Sequence, residues 1–199
     1  MARRHSLGGN RARALARASS RSMFTIHTEA TAPALAAIRE RIGFVPNLAA
    51  VLASSPTALE SFGALQAGLR GTTLSPLERE VAGLAVSFEN DCVYSMAAHS
   101  TFAVGAGVEP AVLAALRAGE PIDDPRLETV RRFAVALVRD RGHGREAFGL
   151  SAAEQLEVAT QVVYTTLANL AANLADPPLD EPFAAQRWEL RRATLGASG

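Results

Sequence analysis

No stretch of this chain alternates apolar and polar residues with the period of two that a half-buried strand shows. What recurs is a helix-start signal followed by apolar residues at steps of three and four. Ser55-Pro56 opens onto Leu59, Phe62, Leu65 and Leu69. Ser75-Pro76-Leu77-Glu78 joins an N-cap serine, a proline at the first helical position and a glutamate three residues after the cap. It leads a stripe of Leu77, Val81, Leu84, Ala85 and Phe88. Asn90-Asp91 breaks this helix and is placed to cap the next, expected from about Cys92 to Val104. Asp123-Asp124-Pro125 heads Leu127, Val130, Phe133, Ala134, Leu137 and Val138. Ser151 opens the longest stripe, Leu156, Ala159, Val163, Leu167, Leu170 and Leu174, which stops at Asp176-Pro177-Pro178. Shorter helices are expected from Pro33, Pro46 and Pro110, and Phe183 and Trp188 are expected to pack back. The expectation is an all-α, single-domain bundle of about seven to eight helices over residues 31–190.

The composition agrees. Of 199 residues, 48 % are apolar and 20 % charged, an ordinary globular balance with enough chain for a real core. No run approaches the roughly 18–20 apolar residues of a membrane span. The formal net charge is zero but unevenly spread. Arg3, Arg4, Arg11, Arg13, Arg17 and Arg21 face no acid in residues 1–22, which leaves the rest of the chain acidic. Residues 1–30 are expected to be an unstructured basic leader, and 191–199 a flexible tail. An acid-free, Arg- and Ser-rich leader also fits a transit peptide or contact with an anionic surface. Nothing interleaves aromatic and basic residues as a nucleic-acid surface would, and no membrane partner is expected. A cytoplasmic location is the expectation.

Chemistry concentrates between Glu80 and His99. Cys92 is the only cysteine, so an internal disulfide is excluded and the thiol is either a small buried hydrophobe or a reactive group. Cys92, Ser95 and His99 are spaced by three and then four, which puts them on one helix face. Cys92 and His99 then lie two turns, about 10 Å, apart along the axis. A helix N-terminus at Cys92 would favour its thiolate and lower its pKa. Glu80 lies beside the apolar stripe of the preceding helix, where half-burial would raise its pKa into the range of a proton-transfer group. The alternative is an ordinary solvated glutamate and an ordinary helix histidine. No second histidine or cysteine sits at metal-ligand spacing, and no glycine-rich phosphate loop occurs, so no metal and no cofactor is expected. His5, His27 and His143 fall in tail or loop segments.

Glu89-Asn90-Asp91-Cys92-Val93-Tyr94-Ser95-Met96-Ala97-Ala98-His99-Ser100 resembles the signature of the alkylhydroperoxidase D-like, or carboxymuconolactone decarboxylase, family. That signature is a glutamate, about a dozen residues, then C-x-x-C-x-x-x-H. Gly43-Phe44-Val45-Pro46-Asn47 is similar to the family's G-x-V-P-N segment, and Ala175-Asp176-Pro177-Pro178-Leu179-Asp180 to its A-D-T-P-L-D ending. The likeness spans about residues 30–188. It implies an all-helical oligomer that reduces an organic hydroperoxide or hydrogen peroxide. Glu80 and His99 would move protons, with Tyr94, Asn169 and Asn173 in support. One thiolate would become a sulfenic acid, condense with a second thiol, and be restored by an external thiol reductant.

The sequence departs from the family where it matters. Ser95 stands at the second cysteine, and a hydroxyl cannot form the disulfide. The family's Asn-His pair on the last helix corresponds to Ala172 and Asn173 here. Asn169 remains, four residues from Asn173. The resemblance thus implies a peroxidase lineage with Cys92 as the remaining thiol. Two alternatives stand beside it: a helical oligomer that kept the fold without the chemistry, and a lyase of the lactone decarboxylase branch. A Ser95–His99–Glu80 hydrolase triad lacks the strained strand-to-helix turn that such a nucleophile needs.

Overall fold

The structure is a computed structural model and describes residues 33–144 and 148–189. Both expected tails, residues 1–30 and 191–199, lie outside the described residues. Among the described residues there are eight α-helices and one 3-10 helix. They are α1 (Pro33–Ile42), α2 (Asn47–Leu52), α3 (Pro56–Leu69), α4 (Pro76–Glu89), α5 (Val93–Gly105), α6 (Pro110–Ala118), α7 (Pro125–Arg139), α8 (Ala152–Ala175) and the 3-10 helix Glu181–Gln186. The fold is all-helical.

The start signals work as the residues demand. Ser75 and Glu78 close a complete capping box on α4, and Ser151 and Glu154 close one on α8. Arg126, in the first turn of α7, binds Glu78 and also Glu154 at 2.8 Å, so a single guanidinium ties the starts of α4, α7 and α8. Asp124 accepts from the amides of Arg126 and Leu127. Glu78 is buried, which raises its pKa, but the Ser75 donors and Arg126 outweigh burial and hold it below the ordinary carboxylate range.

Two apolar clusters form the core. One gathers Val81, Leu84, Val86, Met96, Leu116, Val130 and Val158 around α4 and α7. The other gathers Leu35, Leu48, Leu59, Phe62, Cys92, Tyr94, Ala168 and Phe183 around α5 and the two ends of the described chain. The C-terminal segment does pack back. Phe183 and Trp188 are buried, and Trp188 donates to the Arg117 carbonyl at 3.0 Å. Arg117 in turn donates to the carbonyls of Gln186 and Arg187.

Two expectations need correction. Asn90 and Asp91 do not cap α5. Asn90 ends α4, Asp91 adopts a left-handed backbone (φ 49°), and Cys92 itself is the N-cap of α5, without a side-chain capping hydrogen bond. The stripe on α8 is the larger correction. Leu156, Val163, Leu170 and Leu174 are exposed, by 70, 55, 57 and 71 %. The buried face of α8 is the opposite one, with Val158, Gln161, Thr165, Ala168, Asn169, Ala172 and Ala175. Small side chains there let α8 lie close against its neighbours, and the polar ones are satisfied locally. Gln161 donates to Thr165, and Asn169 donates to Ser87. Apolar content alone therefore named the wrong face.

Candidate active site

Helices α4 and α5 pack side by side and bring Glu80 to His99. The His99 Nδ1 to Glu80 Oε2 distance is 2.7 Å, with His99 almost buried and Glu80 partly exposed. A carboxylate on Nδ1 fixes the ring's orientation and leaves Nε2 for proton exchange. This contact needs Gly83, one turn along α4 from Glu80. A Cβ at position 83 would lie 2.5 Å from His99 Cε1, 2.6 Å from Nδ1 and 2.9 Å from Nε2. The imidazole rests on bare backbone. A glycine inside a helix costs roughly 0.5–1 kcal/mol relative to alanine, so its presence here has a steric reason.

Ser95 and His99 both line a pocket of about 80 Å³. Its other walls include Ile38 and Arg41 from α1, Phe62 and Gln66 from α3, Tyr164 and Ala168 from α8, and Phe183. Phe62 stacks on Tyr164 with ring centroids 4.6 Å apart, and Gln66 donates to the Tyr164 hydroxyl at 3.1 Å. Burial holds the Tyr164 phenol well above its ordinary value, so it is neutral at physiological pH. The pocket is a mainly apolar chamber with a histidine, a serine hydroxyl, a phenol and one arginine on its walls.

Cys92 is placed differently. It is fully buried and is not among the pocket's walls. Burial pushes its thiol up, although the hydroxyl and amide of Ser95 and the Asn169 carboxamide favour the ionised form. The lowered pKa expected from the helix start is therefore reversed: desolvation of the charged sulfur outweighs the donors around it. Because this is the chain's only cysteine, the effect is directly measurable. Alkylation by iodoacetamide in the native protein is expected to be slower than for a free thiol at neutral pH. Its rate should inflect above the ordinary thiol pKa and reach the free-thiol rate once the protein is unfolded. Fast native labelling at neutral pH would show that the sulfur is open and ionised.

Asn169 and Asn173 meet on Asn90. The Asn90 side chain donates to Asn169 Oδ1 at 2.9 Å, and Asn173 donates to the Asn90 carbonyl at 3.0 Å. Together they pin the α4–α5 corner that precedes Cys92. The Tyr94 hydroxyl donates to Asp180 and accepts from the Leu48 amide. The Asn47 amide donates to both Asp180 oxygens, at 3.1 and 3.2 Å, and the Asn47 side chain donates to the Pro178 carbonyl at 3.0 Å. Burial pushes the Asp180 carboxyl up, against the pull of Tyr94 and Asn47. The three separated sequence motifs thus converge on one carboxylate.

Residues 56–136 match the family model described as the carboxymuconolactone decarboxylase family. The matched segment runs from the start of α3 into α7. It carries Glu80, Gly83, Cys92, Ser95 and His99. Tyr164, Asn169 and Asp180 reach the site from outside it. No curated protein matches the chain. Solved structures do. A peroxidase-related protein from Silicibacter sp. TM1040 superposes with a TM-score of 0.66 at 20 % identity, over 84 % of this chain and 99 % of that one. The alkylhydroperoxidase AhpD core of a peroxidase-related protein from Ralstonia eutropha JMP134 gives 0.66 at 20 %, over 80 % and 95 %. A cysteine-to-alanine variant of the debrominase Bmp8, in complex with 2,3,4-tribromopyrrole, gives 0.64 at 18 %, over 83 % and 97 %. At this identity the likeness establishes the fold, which is alkylhydroperoxidase-like.

Among the described residues no helix is long and apolar enough to cross a membrane. No group of three or more His, Cys, Asp or Glu side chains there is placed to hold a metal ion.

Proposed function

We propose that this chain is a thiol-dependent oxidoreductase of the alkylhydroperoxidase type, acting on a small hydroperoxide that reaches the buried Cys92 sulfur from the pocket lined by Ser95 and His99. The observation that carries this reading is the Glu80-oriented His99 beside Ser95 on the pocket wall, with the Cys92 sulfur within reach of the Ser95 hydroxyl. The Cys92 thiolate attacks the terminal oxygen of R–O–OH. An S–O bond forms, the O–O bond breaks, and the leaving alkoxide takes a proton through His99. The sulfenic acid then accepts one external thiol, releasing water, and a second external thiol reduces the mixed disulfide and restores Cys92. Ser95 takes no part in electron transfer, because its hydroxyl cannot join a disulfide. An apolar chamber walled by Phe62, Phe102, Tyr164 and Phe183 suits a compact organic group. The fold-level likeness to a debrominase bound to a bromopyrrole extends the plausible ligands to small rings.

A second reading rests on the burial of Cys92 and its raised pKa. His99 and Glu80 alone suffice for proton transfer to or from a carbon acid, as a lyase of this family would need. One experiment separates the two. Consumption of tert-butyl hydroperoxide with excess dithiol is measured for the chain as it stands and for its Ser95→Cys and Cys92→Ala forms. The peroxide reading expects slow turnover by the chain itself, none above background by Cys92→Ala, and a rise of roughly tenfold or more in Ser95→Cys, where a pocket-facing thiol joins the buried one. If all three forms match background, the peroxide reading fails. The proton-transfer reading and a non-catalytic helical oligomer then remain.

A further inference from the structure

Tyr164 brings more to the pocket than a ring. Its hydroxyl accepts a hydrogen bond from the Gln66 side chain at 3.1 Å, and no atom among the described residues accepts the phenolic proton in return. A phenol both donates and accepts, so Gln66 fills the accepting side and leaves the donor unused. The ring is held by its stack on Phe62, and Phe62, Gln66 and Tyr164 all border the pocket. Burial and the nearby Glu80 charge keep the phenol protonated. The pocket wall therefore carries a preoriented, neutral donor with no partner of its own. Arg41 borders the same pocket, but it is exposed, and water screens its charge.

This donor stands apart from the sulfur. Tyr164 precedes Asn169, whose carboxamide contacts Cys92, by five residues, about 7.5 Å along α8. A hydroperoxide with its terminal oxygen at the sulfur would turn its organic group toward Tyr164. We propose that Tyr164 is a specificity-determining hydrogen-bond donor, positioned by Gln66, that selects small organic ligands carrying an acceptor oxygen such as a carbonyl on the group away from the sulfur. An all-hydrocarbon group in the same place would strip water from the phenol and return no hydrogen bond, and a site discriminates most strongly against ligands that leave its own polar group unpaired. The inference rests on the oxidoreductase reading only for which end of the ligand meets the sulfur. Recognition of the acceptor requires no turnover.

The probes are cyclopentanone and methylenecyclopentane, rings of one shape that differ in C=O against C=CH2. Binding of each to the full chain is followed by NMR chemical-shift titration, with melting temperatures to show that the variants are folded. Tyr164→Phe is expected to bind the ketone roughly three- to tenfold more weakly than wild type and the hydrocarbon no more weakly. Gln66→Glu should do the same with the phenol still present, because its carboxylate accepts the phenolic proton. Unchanged ketone affinity in Tyr164→Phe overturns the proposal. Equal weakening of both ligands also overturns it, since Tyr164 would then be wall alone. Turnover in the Ser95→Cys form supplies the second readout. There Tyr164→Phe should raise KM for tert-butyl hydroperoxide bearing an acetyl group roughly three- to tenfold, with kcat nearly unchanged and the plain peroxide unaffected. Absence of peroxide consumption beside an intact ketone effect rejects the oxidoreductase reading and keeps the donor.

Discussion

Gly83→Ala is expected to lower His99-dependent turnover about 10²–10³-fold while leaving the protein folded. The new methyl group would sit 2.5 Å from His99 Cε1, a separation no real contact tolerates. The ring must rotate or withdraw, and either movement breaks the 2.7 Å contact with Glu80. On stability two effects oppose each other. Alanine improves the helix by roughly 0.5–1 kcal/mol, and overpacking costs about 1–3 kcal/mol. The net change is small against the loss of a positioned acid–base group. The assay is hydroperoxide consumption in the Ser95→Cys form, paired with the imidazole NMR resonances of His99, which report the ring's position. Gly68→Ala serves as control, because a Cβ there meets nothing within 4 Å. Unchanged turnover and unchanged His99 imidazole resonances in Gly83→Ala would show that the Glu80–His99 pair is no relay.

Asp180→Ala is expected to be strongly destabilising, by about 2–4 kcal/mol, since one buried and one part-buried donor lose their acceptor. The carboxylate receives the Asn47 amide and the Tyr94 hydroxyl. Tyr94 packs edge-on against Phe183, so the loss spreads into the second apolar cluster. Asp180→Asn keeps one acceptor oxygen and is expected to cost about half as much. Urea unfolding of the two variants beside wild type checks this ordering. Equal stability of all three would mean that the clamp is ornamental to the fold.

What sequence reasoning could and could not see follows from which physical effects are local. Helix starts were legible because capping is decided within four residues: the Ser75–Glu78 and Ser151–Glu154 boxes stand where serine and glutamate spacing placed them. Helical periodicity put Cys92, Ser95 and His99 on one face; Ser95 and His99 do line one pocket, and Cys92 is buried off its wall. The face that α8 buries was not. Periodicity reports where the apolar residues are, while burial depends on how close the neighbouring helix comes, and Ala168, Ala172 and Ala175 permit a closer approach than leucine. The Cys92 pKa failed for a related reason. A helix start is a local feature, but the desolvation that overrides it comes from side chains distant in sequence. Gly83 went unnoticed as a site residue, although a glycine one turn from Glu80 in mid-helix was the available signal. Asp180 was quoted as part of a motif, yet its partners, Asn47 and Tyr94, become visible only when three distant segments meet.

The division of the core into two clusters has its own consequence. Helices α5 and α8 serve both: Met96 and Val158 belong to one, and Ala97 and Ala168 to the other. The stretch that holds them together at Ser87, Asn90 and Asn169 is hydrogen-bonded rather than greasy. Cooperative units in a protein separate where apolar continuity is interrupted. The half that encloses the sulfur is therefore expected to open as a unit more readily than the half around α4 and α7, which hydrogen exchange would check. Cys92 is fully buried and off the pocket wall, so a reagent is expected to reach it on the timescale of such a partial opening.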